Sequence, residues 1–154
     1  MSQEVVIRRA ELKDAAVLVE FNCEDARETE DKELIHDVIS SGVKTLLEDS
    51  NLGFYIVAER DGEIIGTLMI TTEWSDWRNG MFWWIQSVYV RPDCRRQGIY
   101  RRLYQHVQTL ALANPKVCGF RLYVERENTT AQQTYKSLGM EETHYKMFED
   151  IKDG

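Results

Sequence analysis

Three cysteines, Cys23, Cys94 and Cys118, are too few and too widely spaced for a disulfide framework or a zinc site, and their number is odd. They read as free thiols, with Cys94 the one expected to be exposed. No apolar run approaches the length that spans a bilayer. The opening Met1-Ser2-Gln3-Glu4 lacks the basic and apolar regions of a secretory leader, so the expected compartment is the cytoplasm. Basic residues are the minority charge, 19 Lys and Arg against 26 Asp and Glu, a net −7 that argues against non-specific nucleic-acid binding. Neither a Gly-Lys-Ser/Thr phosphate loop nor a triple-glycine fingerprint is present, which leaves little for a nucleotide-binding module. What remains, 43% hydrophobic and 29% charged over 154 residues, is ordinary soluble composition and long enough for one domain with a real core, here taken as 1–154.

The chain is organised around Ile85 to Tyr100. Val88, Tyr89 and Val90 favour a strand, and Pro92 cannot continue a ladder. After Gly98 the apolar residues Ile99, Leu103, Val107, Leu110 and Leu112 recur at helical spacing, with the helix expected over 99–114, before Pro115. A strand, a basic turn with one glycine and a helix start make an anion site, because first-turn amides lack partners and the helix dipole favours negative charge. Arg95 and Arg96 add charge beside it, and the ligand best served is a pyrophosphate. An acidic protein with one basic pocket also suits a cationic substrate.

Before this stretch, Val5–Ala10 reads as a strand, and Asp14 precedes a helix carrying Leu18, Val19 and Phe21. A second helix carries Leu34 to Leu47, and Ser40-Ser41-Gly42 is expected to kink or split it. His36 reads as a surface residue, and His106 as packed or surface. Phe54–Glu59 and Ile64–Ile70 form a hairpin through Asp61-Gly62, and Gly66 marks a bulge or a close backbone approach. Trp74, Trp77, Trp83 and Trp84 permit two readings: sheet packing with an aromatic dimer surface, or an aromatic wall around an acceptor amine with Glu73 and Asp76 beside it. Val117–Val124 is a strand, parallel by the crossover rule. Asn128 or Thr129 caps a short helix that Gly139 ends, and Thr143–Phe148 reads as a last strand.

Two stretches carry a resemblance. Arg95-Arg96-Gln97-Gly98-Ile99 resembles the acyl-CoA pyrophosphate loop of the GNAT-type N-acetyltransferases, departing at Tyr100, where a small residue is usual. Asn128, Ala131, Tyr135, Gly139 and Met140 resemble the second signature of that superfamily, in the right order and with a strand–helix–strand between. The resemblance implies an α/β (α+β) fold with a mixed sheet, order β-α-α-β-β-β-α-β-α-β, splayed beside the Val88–Val90 strand.

It further implies acetyl-CoA as cosubstrate, with pantetheine on the backbone of Val88 and Val90 and the pyrophosphate on Arg95, Arg96, Gln97, Gly98, Ile99 and Tyr100. The Tyr100 phenol must then point away from the phosphates. Asn128 would order the loop or contact the cofactor arm, Tyr135 would be the general acid, and no metal is implied. The first two helices would flank the acceptor, making Phe21, Glu24 and Glu28 either substrate-facing or a solvated face. Gln86 stands where some relatives carry a basic glutamate, leaving the base open among Glu73, Asp76 or another carboxylate. The acceptor would be a small-molecule or peptide amine, with neither nucleic acid nor membrane as partner, and the resemblance allows a homodimer. The competing reading is a non-catalytic acyl-CoA-binding or interaction domain, which Gln86 and Tyr100 suggest.

Overall fold

The computed structural model describes residues 4–152. Its backbone falls into two compact units, Met1–Leu122 and Tyr123–Gly154. In the first, a five-stranded sheet runs in sequence order, β1 (Val5–Arg9), β2 (Gly53–Arg60), β3 (Glu63–Ser75), β4 (Gly80–Val90) and β5 (Val117–Arg121). The first four are antiparallel neighbours and β5 joins β4 in parallel. Between them lie α1 (Ala15–Glu30), α2 (His36–Glu48) and α3 (Ile99–Leu112). The α/β architecture is the expected one. Among the described residues no helix is long and apolar enough to cross a membrane.

The pleat sorts the core. Tyr55 and Val57 of β2 pack with Leu18 and Val19 of α1 and Val43 and Leu46 of α2. Cross-strand partners share a face. The ladder Tyr55–Met69–Gln86 therefore lies under α1 and α2, and Ile56, Leu68, Ile70 and Ile85 point to the opposite face. That opposite face takes α3, which rests on β2 and β3 with Leu103 and Val107 fully buried. Gly66 marks a close approach: a Cβ there would stand 3.0 Å from Ile99 Cγ2.

Several expectations are corrected. The second helix is not split; Gly42 is exposed, and burial of Val43 and Leu46 outweighs its poor propensity. The strand expected to reach Val124 ends at Arg121, and Thr143–Phe148 is not a strand, because no described strand lies beside it to form a ladder. Cys94 is buried, and Cys118 is the exposed thiol. The four tryptophans form no single wall. Trp83 is 6% exposed, packed edge-on to Phe54 at 5.3 Å, while Trp77 is 90% exposed at the β3–β4 turn. Asp76 shares that turn, roughly 30 Å along β4 from Val88.

Candidate active site

The parallel ladder between β4 and β5 stops at Trp84 opposite Arg121. Beyond Trp84, no described strand lies along that edge of β4, so the backbone groups of 85–90 that turn away from β3 have no ladder partner among the described strands. On its other edge β4 stays paired to β3, with one irregularity: Thr67 faces Tyr89, but Met69 faces Gln86, so Leu68 spans the extra residue. Ser87 supplies the bulge with φ 49°, a left-handed conformation that costs a non-glycine residue about 1–3 kcal/mol. The bulge also resets the alternation, so Gln86 and Tyr89 share the α1 face. Gln86 donates its amide to Thr71 Oγ1 at 2.6 Å and has no basic group to offer.

After β4 a 3-10 turn, Pro92–Cys94, leads into the loop that opens α3. Arg96 (φ 63°) and Gly98 (φ 77°) are both left-handed, and no side chain caps the helix at Gly98. Its first amides are therefore available to an anion. A Cβ at Gly98 would meet nothing within 4 Å, so the loop is open on the side where that Cβ would stand. Arg96, Arg101 and Arg102 are exposed and make no ion pair among the described residues. Gln97 is braced from behind by Arg60 (Nη2 to Oε1, 2.9 Å), a contact with no counterpart in the sequence pattern. The Tyr100 ring stacks on Tyr104 one turn further along α3, centroids 6.2 Å apart, away from the loop. Arg95 behaves differently from its neighbours. Its guanidinium donates to the Val90 carbonyl (2.8 Å), pairs with Glu28 of α1 (2.7 Å) and lies over the Tyr89 ring.

Along this face of α1, Phe21 meets the Tyr89 ring at 4.9 Å, and Glu28 holds Arg95. Asp25 lies between them in the helical repeat. Burial foremost, then Glu28 and Glu30, pushes its carboxyl up to about 6, against the opposing pull of Arg95. Glu24 is committed to Arg27 at 2.6 Å. Glu73 accepts from Trp84 Nε1 (3.0 Å) and from Arg121 (2.9 Å). Because the folded state raises the Asp25 pKa, stability falls as pH climbs from the unfolded value near 4 through about 6, and the full loss applies above that. Asp25→Asn is therefore expected to stabilise the protein at pH 7.5, by ~1–2 kcal/mol after allowing for water access, and to be neutral at pH 4. Urea unfolding at the two pH values measures this, and equal effects at both would contradict it.

In the second unit, α4 (Thr129–Ser137) begins at Asn128, whose Oδ1 accepts from the Ala131 amide at 3.2 Å. Its Nδ2 takes no part in the cap. Gln132 ties the preceding loop by donating to the Glu125 and Arg126 carbonyls. Gly139 (φ 96°) ends the helix, with the Met140 amide returning to the Tyr135 carbonyl. The second sequence motif is thus a capped, closed helix carrying Tyr135.

The sequence model of the acetyltransferase (GNAT) family matches residues 15–140. The chain belongs to the GNAT acetyltransferase family. It is similar to the peptidyl-lysine N-acetyltransferase YjaB of Salmonella typhimurium, 26% identical over 122 residues, 75% of this chain and 73% of that protein. The crystal structure of a possible acetyltransferase from Clostridium difficile 630 is 43% identical, with TM-score 0.92 over 97% of this chain and 99% of the other. A predicted acetyltransferase from Clostridium acetobutylicum, solved with acetyl-CoA, shares the fold at TM-score 0.79 and 21% identity, covering 96% of each chain. The protein is therefore an acyl-CoA-dependent acetyltransferase.

The structure brings Val88, Val90, Gly98, Ile99 and Tyr100 onto one continuous strand–loop–helix path, with Arg96 and Gln97 beside it, and turns the Arg95 side chain back to β4 and α1. Sequence reasoning missed Ser87, Arg60 and Asp25. Of these only Asp25 carried a signal, its place four residues after Phe21 and three before Glu28 on a helix already suspected of flanking the acceptor.

Proposed function

We propose that this GNAT acetyltransferase moves the acetyl group of acetyl-CoA to a primary amine of a small molecule or peptide by direct attack. The observation that carries the reading is the open edge of β4 beyond Trp84, running straight into the uncapped, arginine-flanked start of α3. A pantetheine arm is an amide chain and pairs with such an edge, at Val88 and Val90. The amides of Gly98, Ile99 and Tyr100, with Arg96 and Gln97 beside them, suit the pyrophosphate; Arg95 contributes by holding the Val90 carbonyl. The open space at Gly98 and the Tyr100 ring stacked on Tyr104 fit a bulky anion there.

The neutral amine attacks the thioester carbonyl, and a backbone amide of the β4 edge stabilises the oxyanion, worth on the order of 3 kcal/mol for one donor. The C–S bond breaks as the tetrahedral intermediate collapses, and Tyr135 protonates the departing thiolate. The motif supports that role. Asn128 orders the helix that carries Tyr135. The acceptor includes an amino terminus or a lysine side chain, the latter favoured by the peptidyl-lysine activity of the Salmonella relative. The reading takes 1–154 as one acyltransferase domain, working in the cytoplasm, with a homodimer decided by sedimentation.

Calorimetry with acetyl-CoA, desulfo-CoA and ATP tests the donor. Mass spectrometry of spermidine, a free-amino-terminus peptide and an amino-blocked lysine peptide, each incubated with acetyl-CoA, tests the acceptor. Saturable binding confined to the CoA compounds, with a 42-Da gain on one amine, is expected (the mass of an acetyl group replacing hydrogen, about 42 Da). Equal binding of ATP, or no acetylated amine, overturns the reading.

A further inference from the structure

We propose that Asp25 is the general base that deprotonates the acceptor ammonium; this rests on the acetyl-transfer reading above. Three observations support it. First, geometry: Phe21 touches Tyr89 at 4.9 Å, and Glu28 grips Arg95, which in turn bonds the Val90 carbonyl. Asp25, one turn from each on the same helix face, is thereby held toward the C-terminal half of β4, whose open edge is the proposed seat of the thioester. Second, elimination: Gln86 is a neutral amide bonded to Thr71, Glu73 is held by Trp84 and Arg121, Glu24 by Arg27 and Glu28 by Arg95. Asp76 lies at the far turn. Asp25 makes no ion pair among the described residues.

Third, its surroundings suit a base that works near neutrality. Burial and the carboxylates of Glu28 and Glu30 on α1 raise its proton affinity to about 6, and Arg95 moderates the rise. The other groups near this face do not compete. Tyr89 of β4 is itself pushed up by burial and stays neutral. From α2 the residues turned to the core are Val43 and Leu46, with Lys44 and Glu48 exposed. From the 3-10 turn Leu12–Asp14, Asp14 is bound by Arg8 at 2.9 Å. On β3 the residues of this face are Thr67, Met69 and Thr71, none titratable, with Glu73 committed as above. A carboxylate with a pKa near the working pH is matched to proton removal, and such catalysis contributes about 10²–10⁴-fold.

The proton balance closes. The ammonium gives one proton to the Asp25 carboxylate, which releases it to solvent. The freed nitrogen lone pair forms the C–N bond, the C–S bond breaks with its pair on sulfur, and the remaining excess proton on nitrogen is lost as the thiolate gains one.

The test compares wild type, Asp25→Asn and Asp25→Glu in kcat/KM from pH 5 to 9, with acetyl-CoA and the three amines named above as probes. Acetyl-CoA affinity is followed by calorimetry, and the Asp25 carboxyl by ¹³C NMR titration. Wild type is expected to lose activity below about pH 6. Asp25→Asn should lose about 100-fold or more in kcat/KM together with that acidic limb, at unchanged acetyl-CoA affinity, and Asp25→Glu should restore part of both. An Asp25→Asn enzyme within threefold of wild type, with the limb intact, overturns the base and leaves the acetyl-transfer reading standing (a threefold change lies far below the roughly 10² expected of a lost base). A carboxyl that titrates near 4 does the same. A wild type that acetylates none of the probes overturns both.

Discussion

Gly98→Val is expected to weaken acetyl-CoA binding by at least ~100-fold, about 2.7 kcal/mol, while the protein stays folded. The left-handed φ of 77° is the first reason. An L-residue there costs roughly 1–2 kcal/mol, and a β-branched one more, so the loop relaxes to another conformation and its amides leave their common direction. The second reason is space. Nothing stands within 4 Å of the Cβ position, so the valine meets no protein atom and the core is untouched. Its methyl groups instead project into open space beside the start of α3, where the phosphates are proposed to sit. Gly98→Ala separates the two effects, since it carries the backbone cost with far less bulk, and a loss nearer tenfold is expected. Calorimetry measures both variants, and thermal unfolding checks the fold. Affinity within threefold of wild type for the valine variant, against the ~100-fold loss expected, would move the phosphates away from Gly98.

That prediction was legible in the sequence because its causes are local. A strand, a proline, a lone glycine and a change of hydrophobic period all lie within sixteen residues. The Asp61-Gly62 hairpin (φ 51° and 78°) and the Asn128–Gly139 helix were readable for the same reason: turn and cap chemistry are short-range. What the sequence hid depends on partners far along the chain. Arg95 stands in the pyrophosphate motif like Arg96, yet Glu28, 67 residues earlier, draws its side chain to α1. Cys94 sits in a charged turn, yet it is buried behind Arg60. Nothing about Ser87 as a residue type announces a left-handed bulge; the register of β3 against β4 imposes it. Trp83 and Trp84 are neighbours in sequence and belong to opposite faces, which the alternation of the strand could have shown, but the density of indoles read as one cluster. Thr143–Phe148 has a strand's composition and lacks a ladder, and composition alone cannot supply the second strand.

Tyr135→Phe should lower kcat by about 10²–10⁴-fold and leave acetyl-CoA affinity within twofold. The change removes one oxygen and keeps the ring, so the packing of α4, its Asn128 cap and its Gly139 terminus are preserved. The missing group is the proposed proton donor to the thiolate, and that proton is needed only once the C–S bond begins to break. An interaction made only in the transition state lowers kcat and kcat/KM equally when it is lost, with the Michaelis constants unmoved. This separates Tyr135 from the other two positions under test. Gly98→Val acts on donor affinity, and Asp25→Asn removes the acidic limb of the pH profile, whereas Tyr135→Phe keeps both affinity and that limb and loses turnover. Steady-state kinetics on the acetylated amine, with calorimetry on the same preparation, distinguishes them. A Tyr135→Phe enzyme within threefold of wild-type kcat, where ~10² is expected, would mean that solvent protonates the leaving thiolate and that the tyrosine of the second motif serves the helix alone.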